Sequence, residues 1–339
     1  MKFLELCAGI GGFRQALENL GCECVGYSEI DKHAIKLYSA WYNDECNFGD
    51  ITKIEAEKLP DFELLVGGFP CQAFSVAGKR GGFNDTRGTI FFDFARIMKA
   101  KKPKFAIFEN VKGLLNHDGG KTYETMLRTL DELGYNAQWG ILNTRFHGLP
   151  QNRERVYIVA NLRERSSTKI LFERGDGITD KVARTQQSII GYYHTKSGKT
   201  HQRSGVLNEN SIAPCLIASD YKEPRMVKIG AIDGKRHQAD RVYSLDGVST
   251  TLSAQGGGLG TKTGLYSAGD KVRRLTPKEC FRLQGFKDEM VELGYKLGIS
   301  DTQLYKMAGN AVSVPVVEWV AQRVLNWDNL RDVDSDYLF

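Results

Sequence analysis

The residues with the most chemical character stand in Gly67-Gly68-Phe69-Pro70-Cys71-Gln72-Ala73-Phe74-Ser75. A thiolate is a nucleophile, whereas a buried thiol is often only a small packing residue, so Cys71 alone is ambiguous. Its frame is not one that packing requires. The apolar run Phe62-Glu63-Leu64-Leu65-Val66 reads as a buried strand, and two glycines end it. Pro70 fixes its own φ and drives Phe69 towards an extended conformation. Such a turn holds the next side chain at a set angle on the rim of a sheet, as a nucleophile needs.

Other polar residues stand at the ends of apolar runs in the same way. Lys2–Leu6 reads as a strand that enters Cys7-Ala8-Gly9-Ile10-Gly11-Gly12 and then a helix from Phe13 to about Leu20. Strand, glycine loop and helix open a nucleotide-type α/β fold. The dinucleotide fingerprint fails, because the sixth position counted from Gly9 is Arg14. A second strand, Cys24–Ser28, ends at Glu29, where such folds place a carboxylate on ribose hydroxyls. Asp50 is suited either to a polar contact at the sheet's edge or to capping the following turn. Phe105–Phe108 is expected as a strand with Glu109 just beyond it, and Gln151-Asn152-Arg153-Glu154-Arg155 precedes a strand at Val156–Ala160. The two arginines suit a salt-bridged surface or a carbonyl-bearing or anionic ligand.

The elements needed to hold these groups follow from periodicity. Helices are expected at about Asp31–Tyr42, Phe91–Lys99 and Thr122–Leu133, with a strand near Ala137–Leu142. The glycine-rich, basic stretch 78–88 reads as a lid. From about Leu162 to Asp270 the pattern is irregular, with short β-like runs, among them Arg241–Ser244 and Thr250–Leu252. Ser253 to Gly264 holds five glycines and suits a loop whose backbone approaches a partner closely. Thr276 and Pro277 start a helix, and a last helix runs from about Val314 to Trp327. The expected fold is α/β: a Rossmann-like sheet from 1–162 and 287–330, and a smaller β-rich domain from 163–286.

Seven cysteines, an odd number without a C-x-x-C pair, point to reduced thiols, and their spacing completes no metal site. The early acid Glu5 and the lack of a long apolar stretch point to a cytoplasmic protein without a membrane span. The net charge of +5 is unevenly spread: Arg163 to Leu275 carry 19 Lys and Arg against 11 Asp and Glu, an excess of eight that leaves −3 elsewhere. A polyanionic partner for that segment accounts for the bias.

Together these stretches resemble the DNA cytosine-C5 methyltransferases, most closely the small bacterial HhaI type. The resemblance covers nearly the whole chain: the loop at Phe3–Phe13, the Pro-Cys turn, Phe108-Glu109-Asn110-Val111, the Q-x-R-x-R run at Gln151–Arg155, and the stretches Arg273–Phe286 and Tyr305–Val317. It implies a Rossmann-like S-adenosyl-L-methionine-dependent catalytic sheet and a β-rich DNA-recognition domain. It implies that Cys71 attacks C6, Glu109 engages N3, and Arg155 helped by Arg153 contacts O2. The cofactor residues would be Cys7, Gly9, Gly11, Gly12, Glu29, Ile30, Asp50, Ile51, Pro70, Ile90 and Asn310. DNA contacts would fall to Ser75, Arg87, Arg241, Gln255, Gly256, Gly257 and Gly258. Cys7 and Ile30 depart from the aromatic residues common at those places in the family.

The chemistry needs these types. Cytosine C5 becomes nucleophilic only after a thiolate adds at C6, and a free thiol titrates at ~8.5. Charge developing on the ring needs a proton or hydrogen bond at N3. Both ring faces must be reached, so the base must leave the duplex. The family implies a monomer, duplex DNA as partner, and a cognate restriction endonuclease in the same system, with GCGC or GCNGC as a candidate site. An RNA (tRNA) acceptor on the same scaffold and a catalytically inactive DNA-binding homologue are the alternatives. A nicotinamide oxidoreductase is disfavoured by the failed fingerprint and the missing C-x-x-C.

Overall fold

The computed structural model describes residues 1–69, 90–163, 248–252, 265–266 and 273–326 in full, and 189–192, 205–207, 228–231, 241–244, 267–268 and 271–272 by backbone alone. Strands and helices alternate through the first half: β1 (Lys2–Leu6), α1 (Gly12–Asn19), β2 (Glu23–Ser28), α2 (Lys32–Tyr42), β3 (Leu64–Gly68), α3 (Ile90–Lys101), β4 (Phe105–Val111), α4 (Lys121–Glu132), β5 (Tyr135–Asn143) and β6 (Glu154–Leu162). They build a six-stranded sheet of order β2-β1-β3-β4-β6-β5. The first four of these are parallel, and β6 and β5 add as an antiparallel pair beside β4.

The near-continuous apolar runs of β3 and β4 belong to strands covered on both faces. Alternate residues point to two cores. Phe3, Leu64, Val66 and Ile107 join α1, and Leu4, Leu6, Leu65, Ala106 and Phe108 join α3 and α4. The chain leaves β1 towards β2 on one side and returns to β3 on the other. The carboxyl ends of β1 and β3 therefore flank the point where connections diverge, which is where open α/β sheets bind ligands.

Among the described residues six strands follow: β7 (Ile189–Tyr192), β8 (Gly205–Leu207), β9 (Lys228–Ala231), β10 (Arg241–Ser244), β11 (Leu265–Ala268) and β12 (Lys271–Arg274). β7 pairs with β8, and the rest form a sheet of order β12-β11-β10-β9. Helices α5 (Pro277–Arg282), α6 (Asp288–Lys296), α7 (Asp301–Asn310) and α8 (Val314–Leu325) close the described chain. At α5, Thr276 and Glu279 exchange capping hydrogen bonds, with Pro277 in the first turn. Leu275, Phe281, Phe286, Met290, Leu304 and Val317 share one apolar cluster with Phe3 and Phe13, so this C-terminal stretch packs on the first face of the sheet.

Three differences from the expected elements have physical causes. β4 runs on through Glu109 to Val111, because those residues pair with Arg155, Val156 and Tyr157 of β6; Glu109 stands in the strand and not beyond it. Thr250–Leu252 is irregular, and the neighbouring Ser249 makes only an isolated bridge to Gln151. Helices α6 and α7 were not expected, and tertiary packing of Met290, Val291, Leu304 and Met307 accounts for them.

Candidate active site

Glu109 and Arg155 meet on adjacent strands. Glu109 is opposite Tyr157, and Arg155 opposite Val111 two residues along, on the same face of the sheet. Arg155 Nε lies 3.1 Å from Glu109 Oε1, with both side chains almost buried. Its Nη1 donates to the Glu154 carbonyl at 2.8 Å. Among the described residues, no donor makes a well-aligned hydrogen bond to Glu109 Oε1. Among those residues the pair is a charge contact, and Oε1 has no hydrogen-bond donor.

The other neighbour of Glu109 is Gly68 of β3, its register partner. A Cβ at Gly68 would sit 3.2 Å from Glu109 Oε2. The turn carrying Cys71 therefore leaves the sheet directly beside the carboxylate. Its first residue is held twice. Phe69 packs its ring among Phe91, Phe94 and Phe108, and its carbonyl accepts the Asn110 side-chain amide at 2.8 Å. Pro70, Cys71, Ser75, Arg87, Gln255, Gly256, Gly257, Gly258 and the stretch 78–88 lie outside the described residues, and Arg241 is described by its backbone alone.

Arg153 is buried, and its hydrogen bonds run to backbone. Nη2 donates to the carbonyls of Ala311 at 2.8 Å and Gly309 at 3.2 Å, and Nη1 reaches the Leu252 carbonyl at 3.5 Å. Burial, and then the Arg155 charge, pull its pKa well below the arginine range, while Glu109 opposes them. Gln151 is equally buried and donates to the Leu283 carbonyl at 2.7 Å.

Of the expected cofactor residues, Cys7, Gly9, Gly11 and Gly12 follow the carboxyl end of β1, and Glu29 and Ile30 that of β2. Gly9 N–H donates to Glu29 Oε2 at 2.7 Å, and the amides of Ile30 and Asp31 both donate to Oε1 at 2.8 Å. Cys7 and Ile90 pack against the same apolar cluster. Burial, then Glu29 and Asp93, push the Cys7 thiol up to about 12, so it is a neutral apolar surface at physiological pH. Ile30 is 72% exposed, an uncovered apolar side chain next to the acid. Asp50 accepts from the amide and hydroxyl of Thr52 and so caps the turn that follows, while Ile51 is buried. Asn310 is exposed and ends α7. The turn after it sets Val312 against the glycine loop: a Cβ at Gly12 would meet Val312 Cγ2 at 2.6 Å.

The chain matches a C-5 cytosine-specific DNA methylase family model over residues 1–326. The type II methyltransferase M.HhaI of Haemophilus parahaemolyticus is 37% identical across 96% of this chain and 94% of its own length. M1.ScrFI of Lactococcus lactis subsp. cremoris is 39% identical across 96% of this chain and 78% of its own. The chain belongs to the C-5 cytosine-specific DNA methylases. Its fold is also that of the S. pombe Dnmt2 methyltransferase crystal structure, with a TM-score of 0.66 at 21% identity over 97% of this chain and 99% of that one. C-5 cytosine DNA methyltransferases use S-adenosyl-L-methionine as methyl donor, and this chain is such an enzyme.

The methylase's own residues fit that donor. Glu29 keeps lone pairs for ribose hydroxyls beside its amide contacts. Among the described residues, no atom lies within 4 Å of the place a Cβ at Gly9 would fill, which leaves room beside the loop. Cys7 and Ile30 offer apolar surface for a flat heterocycle.

Beneath the glycine loop lies a cluster that sequence reading missed. Tyr42 hydroxyl donates to the Gly11 carbonyl at 2.7 Å, and its ring fills the place of a Gly11 side chain. Tyr38 hydroxyl donates at 2.9 Å to Glu5, which is fully buried in β1. Arg14 lies 4.4 Å from the Tyr42 ring centroid. The available signal was an acid inside an otherwise apolar strand, and tyrosines four apart on α2.

Proposed function

We propose that this methylase acts on cytosine in duplex DNA, with Cys71 as nucleophile, Glu109 at N3 and Arg155 at O2. The observation that supports it most is the Glu109–Arg155 pair, 3.1 Å apart beside the strand end from which the Cys71 turn departs. The Cys71 thiolate forms a bond to C6, and the ring's 5,6 electrons become available at C5. Glu109, protonated or sharing a proton, holds that proton at N3 against the charge that develops there. Arg155 fixes the carboxylate and donates to O2. Bound S-adenosyl-L-methionine supplies an electrophilic methyl on a sulfonium centre. Loss of the C5 proton and elimination of Cys71 then restore the aromatic ring.

Reach to both ring faces requires the cytosine to leave the helix stack. The basic excess of 163–275 supports a target-recognition role for 163–286, with Arg241 and 255–258 among its DNA contacts, beside a catalytic unit of 1–162 and 287–330. The type II names of the relatives support a restriction-modification setting with a cognate endonuclease, and cytoplasmic work as a monomer suits it. Labelled methyl transfer to duplex DNA and to tRNA, measured side by side, tests this reading. Transfer to DNA is expected. Transfer to tRNA alone would replace it with an RNA acceptor.

A further inference from the structure

The Q-x-R-x-R run contains an arginine that the chemistry above does not use. Arg153 is 2% exposed, and its described hydrogen bonds reach three carbonyls and no carboxylate. Taking a guanidinium out of water is costly unless hydrogen bonds compensate, and here two separate chain segments provide them.

One is the turn between α7 and α8. Gly309 and Ala311 flank the exposed Asn310, so Arg153 grips the backbone on both sides of a cofactor residue. Gln284 holds the same turn by donating to the Ala308 carbonyl at 2.7 Å. Val312 continues from this turn to both functional loops. Its Cγ2 would lie 2.6 Å from a Cβ at Gly12, and its Cγ1 3.9 Å from one at Gly68. Movement of the turn is therefore felt by the glycine loop and by the strand end that precedes Cys71.

The second segment is 248–252, which leads into the glycine-rich stretch 253–264. It is laid on the start of β6 by its own hydrogen bonds. Ser249 N–H donates to the Pro150 carbonyl at 2.7 Å, Asn152 N–H to Ser249 at 3.0 Å, and Thr251 hydroxyl to Asn152 at 2.6 Å. Leu252, the last residue before the glycine stretch, meets Arg153 itself.

We propose that Arg153 is a positioning residue that couples the recognition segment at 248–252 to the cofactor turn at 309–312, so that DNA and cofactor each tighten binding of the other. The coupling rests on the DNA reading given above. A planar fork with several donors can hold both segments in one geometry, whereas a lysine ammonium presents one compact charge. DNA binding that presses 248–252 more firmly onto the start of β6 shortens the 3.5 Å Arg153–Leu252 contact and with it steadies the grip on Gly309 and Ala311. Linkage makes the effect reciprocal.

The test is the affinity for S-adenosyl-L-homocysteine by calorimetry, with and without a duplex of the site mapped for the wild type. Wild type is compared with Arg153→Lys and with Thr251→Val, which loosens only the recognition side. The wild type is expected to bind the ligand about tenfold more tightly on DNA, in the ordinary range of coupling between sites. Both variants are expected to show less than about threefold, with Thr251→Val retaining wild-type affinity for the ligand without DNA. A purely structural role for Arg153 would lower the melting temperature and leave that ratio unchanged. DNA binding with an unchanged ratio in Thr251→Val, or no coupling in the wild type, overturns the proposal. Failure of the wild type to bind duplex DNA at all overturns the DNA reading itself.

Discussion

Glu5 makes stability depend on pH in a direction opposite to that of an ordinary surface carboxylate. Its side chain is fully buried, and burial raises its pKa from 4.5 to about 8, against the pull of the Tyr38 hydroxyl and the Arg14 charge. The folded protein therefore holds a proton that the unfolded chain releases above about 4.5. Stability from this group is fully present below the unfolded value and is lost as pH rises through about 8. At about 1.36 kcal/mol per pH unit, the rise sets a ceiling on the order of 5 kcal/mol, of which about 3 falls between pH 6 and pH 9. That is a large part of the ~5–15 kcal/mol that holds a typical domain together. Glu5→Gln removes the titration and keeps an oxygen for Tyr38. Urea unfolding at pH 6 and pH 9 should show the wild type losing more stability over this interval than Glu5→Gln, by about 3 kcal/mol. Parallel losses in the two proteins would refute the burial argument, because every other titrating group is common to both.

Three further outcomes follow from contacts at the site. Tyr42→Phe removes the hydrogen bond to the Gly11 carbonyl and should weaken S-adenosyl-L-homocysteine binding about three- to tenfold in calorimetry, with kcat nearly unchanged. Gly68→Ala would place a methyl 3.2 Å from Glu109 Oε2 and should lower single-turnover methylation at least about tenfold while DNA affinity in gel shift holds. Ile30→Trp offers a stacking face at an already exposed position beside Glu29 and should tighten cofactor binding about two- to tenfold by the same calorimetry.

The alternating strands and helices of the first half were legible because parallel strands buried on both faces read as unbroken apolar runs, as Leu64–Val66 and Phe105–Phe108 do. Glu29 and the glycine loop were legible through their place after a strand, and the structure joins them by the Gly9–Glu29 hydrogen bond. The extension of β4 through Glu109 was not, since a charge ends an apolar run in sequence but not a ladder of backbone hydrogen bonds. The role of Arg153 was also out of reach. Its partners lie 99 to 158 residues away, and carbonyl acceptors carry no side-chain signature. The same holds for Val312, whose approach to the places where side chains on Gly12 and Gly68 would stand depends on how α7 and α8 return to the sheet.

The central claim is that Cys71 adds to C6 of a cytosine drawn out of duplex DNA. A duplex carrying 5-fluorocytosine at the mapped position, incubated with enzyme and S-adenosyl-L-methionine, tests it by denaturing gel and intact mass. Fluorine blocks the proton loss that releases the enzyme, so a covalent complex is expected whose mass is that of protein plus methylated DNA, with peptide mapping placing the link on Cys71. The same complex formed undiminished by Cys71→Ser, or methylated DNA from wild type without any covalent species on the fluorinated duplex, would contradict the account.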